Sequence, residues 1–68
     1  MTVVVNGVPT ELDPDATIAA VLAVAGHAAT ATGIAVAVNG EVVPRGAWTT
    51  TRLGDQDRVE VLGAAQGG

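Results

Sequence analysis

Residues 33–43 read Gly33-Ile34-Ala35-Val36-Ala37-Val38-Asn39-Gly40-Glu41-Val42-Val43. Ile34, Val36 and Val38 alternate with Ala35 and Ala37, the period of two that marks a strand with two distinct faces. Asn39-Gly40 readily takes the two positive φ angles of a tight type I′ turn, so Glu41 to Val43 returns as a short strand. The same signature stands near the start of the chain. There Thr2 to Val5 is β-branched throughout, Asn6-Gly7 turns it, and Val8 to Leu12 comes back with Val8, Thr10 and Leu12 on one face. Pro9 has no backbone donor, which suits an edge strand.

Between the two hairpins lies one helical signal. Asp13-Pro14-Asp15 breaks the strand, and Asp15 or Thr17 is expected to cap the helix through its side chain. Ile18, Val21, Leu22 and Ala25 fall at i, i+3, i+4 and i+7, the stripe of a helix packed on a sheet. Gly26 closes the helix as its C′ residue. His27 to Thr32 reads as a loop. His27 itself, just beyond a helix C-terminus, is most simply a surface residue favoured by the helix dipole.

After the second hairpin, Pro44-Arg45-Gly46-Ala47-Trp48 is too irregular for a strand and implies a single helical turn or a loop. Leu53 precedes the turn Gly54-Asp55-Gln56-Asp57. The last strand is Arg58 to Leu62, with Val59 and Val61 inward and Arg58 and Glu60 outward. One amphipathic helix covers one face of such a sheet, which is an α+β roll of the ubiquitin-like, or β-grasp, type. The expected architecture is a mixed sheet of four to five strands with one main helix on one face, the last strand lying parallel beside the first. Residues 1–62 form the domain and 63–68 a flexible C-terminal tail.

Composition narrows the function. The 68 residues contain no cysteine, one histidine and one aromatic residue, Trp48, and 49% are hydrophobic. Disulfides, thiolate zinc sites and cysteine nucleophiles are therefore excluded, and no metal site is expected. A net charge of −4 with three arginines and no lysine argues against nucleic acid. No apolar run approaches a membrane span, and no signal peptide opens the chain, so a cytoplasmic location is expected. Trp48 reads as a plug at the end of the core rather than a partner contact. Arg45 either meets an acidic partner or braces the link through a backbone carbonyl.

The tail Gly63-Ala64-Ala65-Gln66-Gly67-Gly68 has nothing large enough to anchor in a core. Six residues extend roughly 20 Å at about 3.3 Å each, enough to enter another protein's active site. Gly67 and Gly68 lack Cβ atoms, pass a narrow channel and leave the terminal carboxylate open to attack. A carboxylate exchanges oxygen for sulfur or nitrogen only after activation, most simply as a mixed anhydride with AMP. The chain has no phosphate-cradling loop of the P-loop kind, so no cofactor is expected to be bound and ATP is used by an activating partner. Without cysteine, any sulfur also comes from elsewhere. The chain then acts as a cosubstrate, not an enzyme, with Gly68 as the adenylation site and Gly67, Gln66, Ala65 and Ala64 presented to partners. The sheet face opposite the helix should carry Val4, Ala35, Ala37 and Leu62, an uncovered apolar patch expected to dock a partner.

Val5-Asn6-Gly7, the run Val36-Ala37-Val38-Asn39-Gly40-Glu41-Val42-Val43-Pro44-Arg45, Trp48, the Leu53 to Asp57 turn and the closing Ala64-Ala65-Gln66-Gly67-Gly68 together resemble the ThiS family of thiamin-pathway sulfur carriers. The resemblance spans nearly the whole chain. It implies that an adenylating, ThiF-like activating enzyme acts on Gly68 and that sulfur from a persulfide donor replaces AMP. The resulting thiocarboxylate would supply a ThiG-like thiazole synthase. Three alternatives stay open: a related carrier serving molybdopterin or a sulfur-containing secondary metabolite, a ubiquitin-like conjugation tag, and an inert β-grasp interaction module.

Overall fold

The computed structural model describes residues 1–27 and 32–63. Among these described residues five strands form one sheet: β1 (Thr2–Val5), β2 (Val8–Glu11), β3 (Ile34–Val38), β4 (Glu41–Val43) and β5 (Arg58–Gly63), in the order β2-β1-β5-β3-β4. The pair β1–β5 is parallel and the others are antiparallel. One helix, α1 (Ile18–Val24), covers one face, and a 3-10 turn at Arg45–Ala47 occupies the irregular link. This is the β-grasp roll expected from the order of elements. β5 runs one residue further than the sequence pattern suggests, because Gly63 still pairs with Ile34. No helix among the described residues is long and apolar enough to cross a membrane.

Both Asn-Gly turns form as expected, with positive φ at Asn6 and Gly7 (49° and 83°) and at Asn39 and Gly40 (52° and 85°). Pro9 lies on the edge strand opposite Val4. Alternation then sorts the side chains. Val3, Val36, Val59 and Val61 enter the core with Ile18, Val21 and Leu22 of α1. Each such buried aliphatic side chain is worth about 1.5–3 kcal/mol relative to exposure. Val8 shares the inward side of β2 with Thr10 and Leu12 but stands by the hairpin tip and is exposed.

The two ends of α1 are built differently. At the C-terminus, Gly26 has φ +88°. Its N–H donates to Ala23 O while His27 N–H donates to Leu22 O, the paired bonds of a Schellman motif. Ala25, expected in the buried stripe, is instead the exposed last residue before this motif. At the N-terminus the expected side-chain cap is absent. Thr17 is extended and makes no side-chain cap bond; it pairs as an isolated bridge with Arg52. The carbonyls of Thr51 and Trp48 accept from Ile18 N–H and Ala19 N–H, at 3.2 and 3.1 Å. Backbone from the link supplies what Asp15 or Thr17 was expected to supply, and satisfies the same orphan donors.

Trp48 is therefore more than a plug. It is 2% exposed, its indole N–H donates to Val43 O at 2.9 Å, and its carbonyl caps α1. Arg45 stacks its guanidinium over the indole, 4.7 Å from the ring centroid. Leu53 completes the core beneath the same link. At the start of the sheet, the Met1 ammonium donates to Leu12 O and lies 3.1 Å from the Glu11 carboxylate, which also accepts from the Thr2 hydroxyl. The Thr2 hydroxyl bond foremost, then the ammonium, hold the Glu11 carboxyl below its ordinary range.

Three outcomes follow from these contacts. Trp48→Ala removes the largest buried side chain and is expected to cost about 3–5 kcal/mol, enough to leave a domain of this size largely unfolded by circular dichroism. Trp48→Phe keeps an aromatic ring but loses the pyrrole half of the indole and the donor to Val43 O, so urea denaturation should show an intermediate loss of about 2–3 kcal/mol. Because folding depresses the Glu11 carboxyl, its contribution is present above the unfolded carboxylate range and is lost as pH falls through the folded value. The urea midpoints of the parent and Glu11→Gln should therefore differ modestly at neutral pH, as befits an exposed group, and converge in acid.

Candidate functional site

The candidate site is the end of β5 and the open sheet face around it. β5 is the central strand, and both of its edges are held by side chains as well as by backbone. On the β1 side, Val4 N–H donates to Asp57 O and Asn6 N–H to Val59 O. β1 ends there as the chain turns, yet the ladder continues. Asn6 Oδ1 accepts from Val61 N–H at 2.8 Å and its Nδ2 donates to Val61 O at 3.2 Å. The amide of Asn6 thus stands in for a missing strand residue, which its positive φ allows.

The β3 side has a counterpart. Asn39 N–H donates to Arg58 O, Asn39 Oδ1 accepts from Arg58 N–H at 3.0 Å, and Asn39 Nδ2 donates to Asp57 Oδ1 at 3.0 Å. Asp57 in turn accepts from Gly54 N–H, tying the turn before β5 into the same cluster. Both asparagines were read from the sequence as turn formers only. Their spacing before glycine gives no sign of the second role, which depends on a strand about twenty to fifty residues later.

The four residues expected on the face opposite the helix do share it. Ala35 stands directly opposite Leu62, Ala37 lies between Val42 and Glu60, and Val4 lies between Pro9 and Arg58. Leu62 is 60% exposed and Ala35 is exposed, whereas Val4 and Ala37 are half-buried by their neighbours. Val42, 71% exposed, belongs to the same patch and was not singled out from the sequence. The signal was present: with Val43 turned inward against Val36, alternation sends Val42 outward. Arg58 and Glu60 put one charge of each sign within the patch, and Thr2 and Glu11 continue the same face as polar residues.

A shallow open depression of about 260 Å³, lined by Gly33, Ile34, Ala35, Leu62 and Gly63, marks where the strand hands over to the tail. The tail residues Ala64, Ala65, Gln66, Gly67 and Gly68 lie outside the described residues, as do residues 28–31 of the expected loop. A wider groove of about 670 Å³ lies between the β2 edge and α1, bordered by Leu12, Asp13, Asp15 and Val24 among others. Among the described residues no group of three or more His, Asp or Glu side chains is placed to hold a metal ion. The described surface thus offers a largely apolar patch beside the end of β5.

The comparisons with known proteins agree with this fold. The ThiS family model matches residues 3–68. The crystal structure of the thiamine biosynthesis protein (ThiS) from Geobacter metallireducens is 34% identical, covers all of both chains and superposes with a TM-score of 0.78. A solution NMR structure of a thiamine biosynthesis protein from the same organism is also 34% identical, over all of this chain and 88% of that one, with a TM-score of 0.77. No curated protein matches the chain significantly by sequence. On the family match and these full-length likenesses, the chain belongs to the ThiS family.

Proposed function

We propose that this chain is a sulfur carrier of thiamin biosynthesis, a cosubstrate rather than an enzyme, whose reacting group is the carboxylate of Gly68. The observation that carries the reading is the family match, which runs from residue 3 through Gly68 and so includes the diglycine. The likeness to a thiamine biosynthesis protein over the full chain supports the same pathway.

The chemistry follows from what the chain lacks and what it presents. Its carboxylate attacks the α-phosphate of ATP held by an adenylating, ThiF-like partner; pyrophosphate leaves and an acyl adenylate forms. Sulfur then attacks the acyl carbon and AMP departs. If the attacking sulfur is a persulfide on the donor, the acyl persulfide is cleaved by a thiol that is itself oxidised to a disulfide. The product is a thiocarboxylate on Gly68, ionised near neutral pH and a better nucleophile than the carboxylate it replaces. A ThiG-like thiazole synthase is the acceptor of that sulfur. No cofactor is assigned to the chain itself; ATP is bound and spent by the partner, and the proposed setting is the cytoplasm.

The open face divides the labour. Val4, Ala35, Ala37 and Leu62, joined by Val42, dock the partner, while Ala64, Ala65, Gln66 and Gly67 carry Gly68 into the partner's site. Because Ala35 and Leu62 sit beside the strand end, the docked surface and the reactive group are a short tail apart.

Incubated with ATP, its adenylating partner and sulfide, the intact chain should gain the mass of sulfur less that of oxygen, located to the tail peptide. A variant lacking Gly68 should gain nothing. An unmodified parent chain, with a partner shown competent on another carrier, would contradict the reading; amide conjugates to other proteins would favour a conjugation tag. Ala35→Glu should fold as the parent does and slow the conversion about tenfold, the loss expected for a charge forced into an apolar contact. An unchanged rate would remove the open face from the docking surface.

A further inference from the structure

Both tight turns of the sheet have the sequence Asn-Gly, and both asparagines carry side-chain amides on which β5 depends. Asn-Gly is also the dipeptide most open to intramolecular attack. The glycine nitrogen, deprotonated, adds to the asparagine Cγ; ammonia leaves and a five-membered succinimide forms. Water then opens the ring at either carbonyl, giving aspartate or isoaspartate. Nothing is oxidised or reduced, and water is the only co-reactant.

Both glycines stand exposed at the tips of their turns, and a Cβ added to Gly7 or to Gly40 would meet nothing within 4 Å. What differs is the release of the side chain that must rotate to bring Cγ to the nitrogen. Rotating Asn6 strands both Val61 N–H and Val61 O, in a residue that is 8% exposed at the centre of the sheet. Rotating Asn39 releases Arg58 N–H and the Asp57 carboxylate, in exposed bonds where water takes over both roles. The Asn39 amide is therefore the more easily freed of the two.

We propose that Asn39 is a site of spontaneous deamidation in the folded chain and that Asn6 is protected by its place in the β5 ladder. The consequence is directional. Asn39 Nδ2 donates to Asp57 Oδ1 at 3.0 Å, and conversion to aspartate replaces that donor with a second carboxylate. Two like charges then face each other where an attraction had been, at the turn that opens β5. The isoaspartate product also inserts a carbon into the main chain, which breaks the tight turn and the Val38–Glu41 register beside it. Modification at Asn39 thus loosens β4 and the start of β5 together and limits the working lifetime of the folded protein.

The full chain held folded at 37 °C and mildly alkaline pH, sampled over days by peptide mass mapping, tests this directly. The Asn39 peptide should gain the mass of the amide-to-acid change about tenfold faster than the Asn6 peptide. In concentrated denaturant, where both turns are lost, the two should convert at similar rates. Equal rates in the folded chain, faster conversion at Asn6, or no conversion at Asn39 while the denatured chain reacts would each overturn the proposal. Asn39→Asp provides the second readout: its urea midpoint should fall below the parent's at neutral pH and close most of that gap in acid, where the facing carboxyls are protonated. Matching midpoints at neutral pH would show that the facing carboxylates carry no penalty and would overturn the stated consequence.

Discussion

β5 is the last strand in the sequence and the middle strand in space, so both halves of the sheet meet along it. Its parallel pairing with β1 joins residues more than fifty positions apart, with Val4 opposite Arg58 and Val5 opposite Val59. Closing so long a loop costs chain entropy before any contact repays it. The backbone ladder with β1 is short because the chain turns at Asn6-Gly7, and the Asn6 amide extends it to Val61. Asn39 and Asp57 secure the opposite edge. The setting of Leu62 beside Ala35 at the end of β5 depends on that strand being held along its length.

A second dependency runs through the link between β4 and β5. Trp48 fills the core, bonds Val43 through its indole and caps α1 through its carbonyl, so one residue connects the hairpin, the helix and the link. Thr51 supplies the companion cap, and the Thr17–Arg52 bridge lies beside it. The helix is only seven residues long and has no polar side chain of its own, so it relies on these distant carbonyls and on Ile18, Val21 and Leu22 for stability. The sheet face on the other side stays free of this packing, which leaves it open to a partner.

Much of this was legible in the sequence because it rests on local rules. The alternation of Ile34 to Val38, the two Asn-Gly turns and the Gly26 stop each follow from periodicity or from a positive φ. The open-face residues Val4, Ala35, Ala37 and Leu62 follow from the same alternation. The helix cap did not, because a nearby Asp15 or Thr17 is the local choice while the observed acceptors come from thirty residues away. The ladder roles of Asn6 and Asn39 escaped for the same reason: a turn residue looks complete without its distant partner. The diglycine tail is the reverse case, since its meaning comes from chemistry and family likeness, and Gly67 and Gly68 lie outside the described residues.

The most direct test of β5 as the anchored base of the tail is amide hydrogen exchange in Asn6→Ala. If the Asn6 amide holds the far half of the strand, exchange at Val61 should rise at least about fivefold, the effect of losing a bonded pair, while Ile18 to Leu22 in the helix change by less. Unchanged protection at Val61, or an equal rise across the whole molecule, would show that β5 is held without Asn6 and would contradict this account of the central strand.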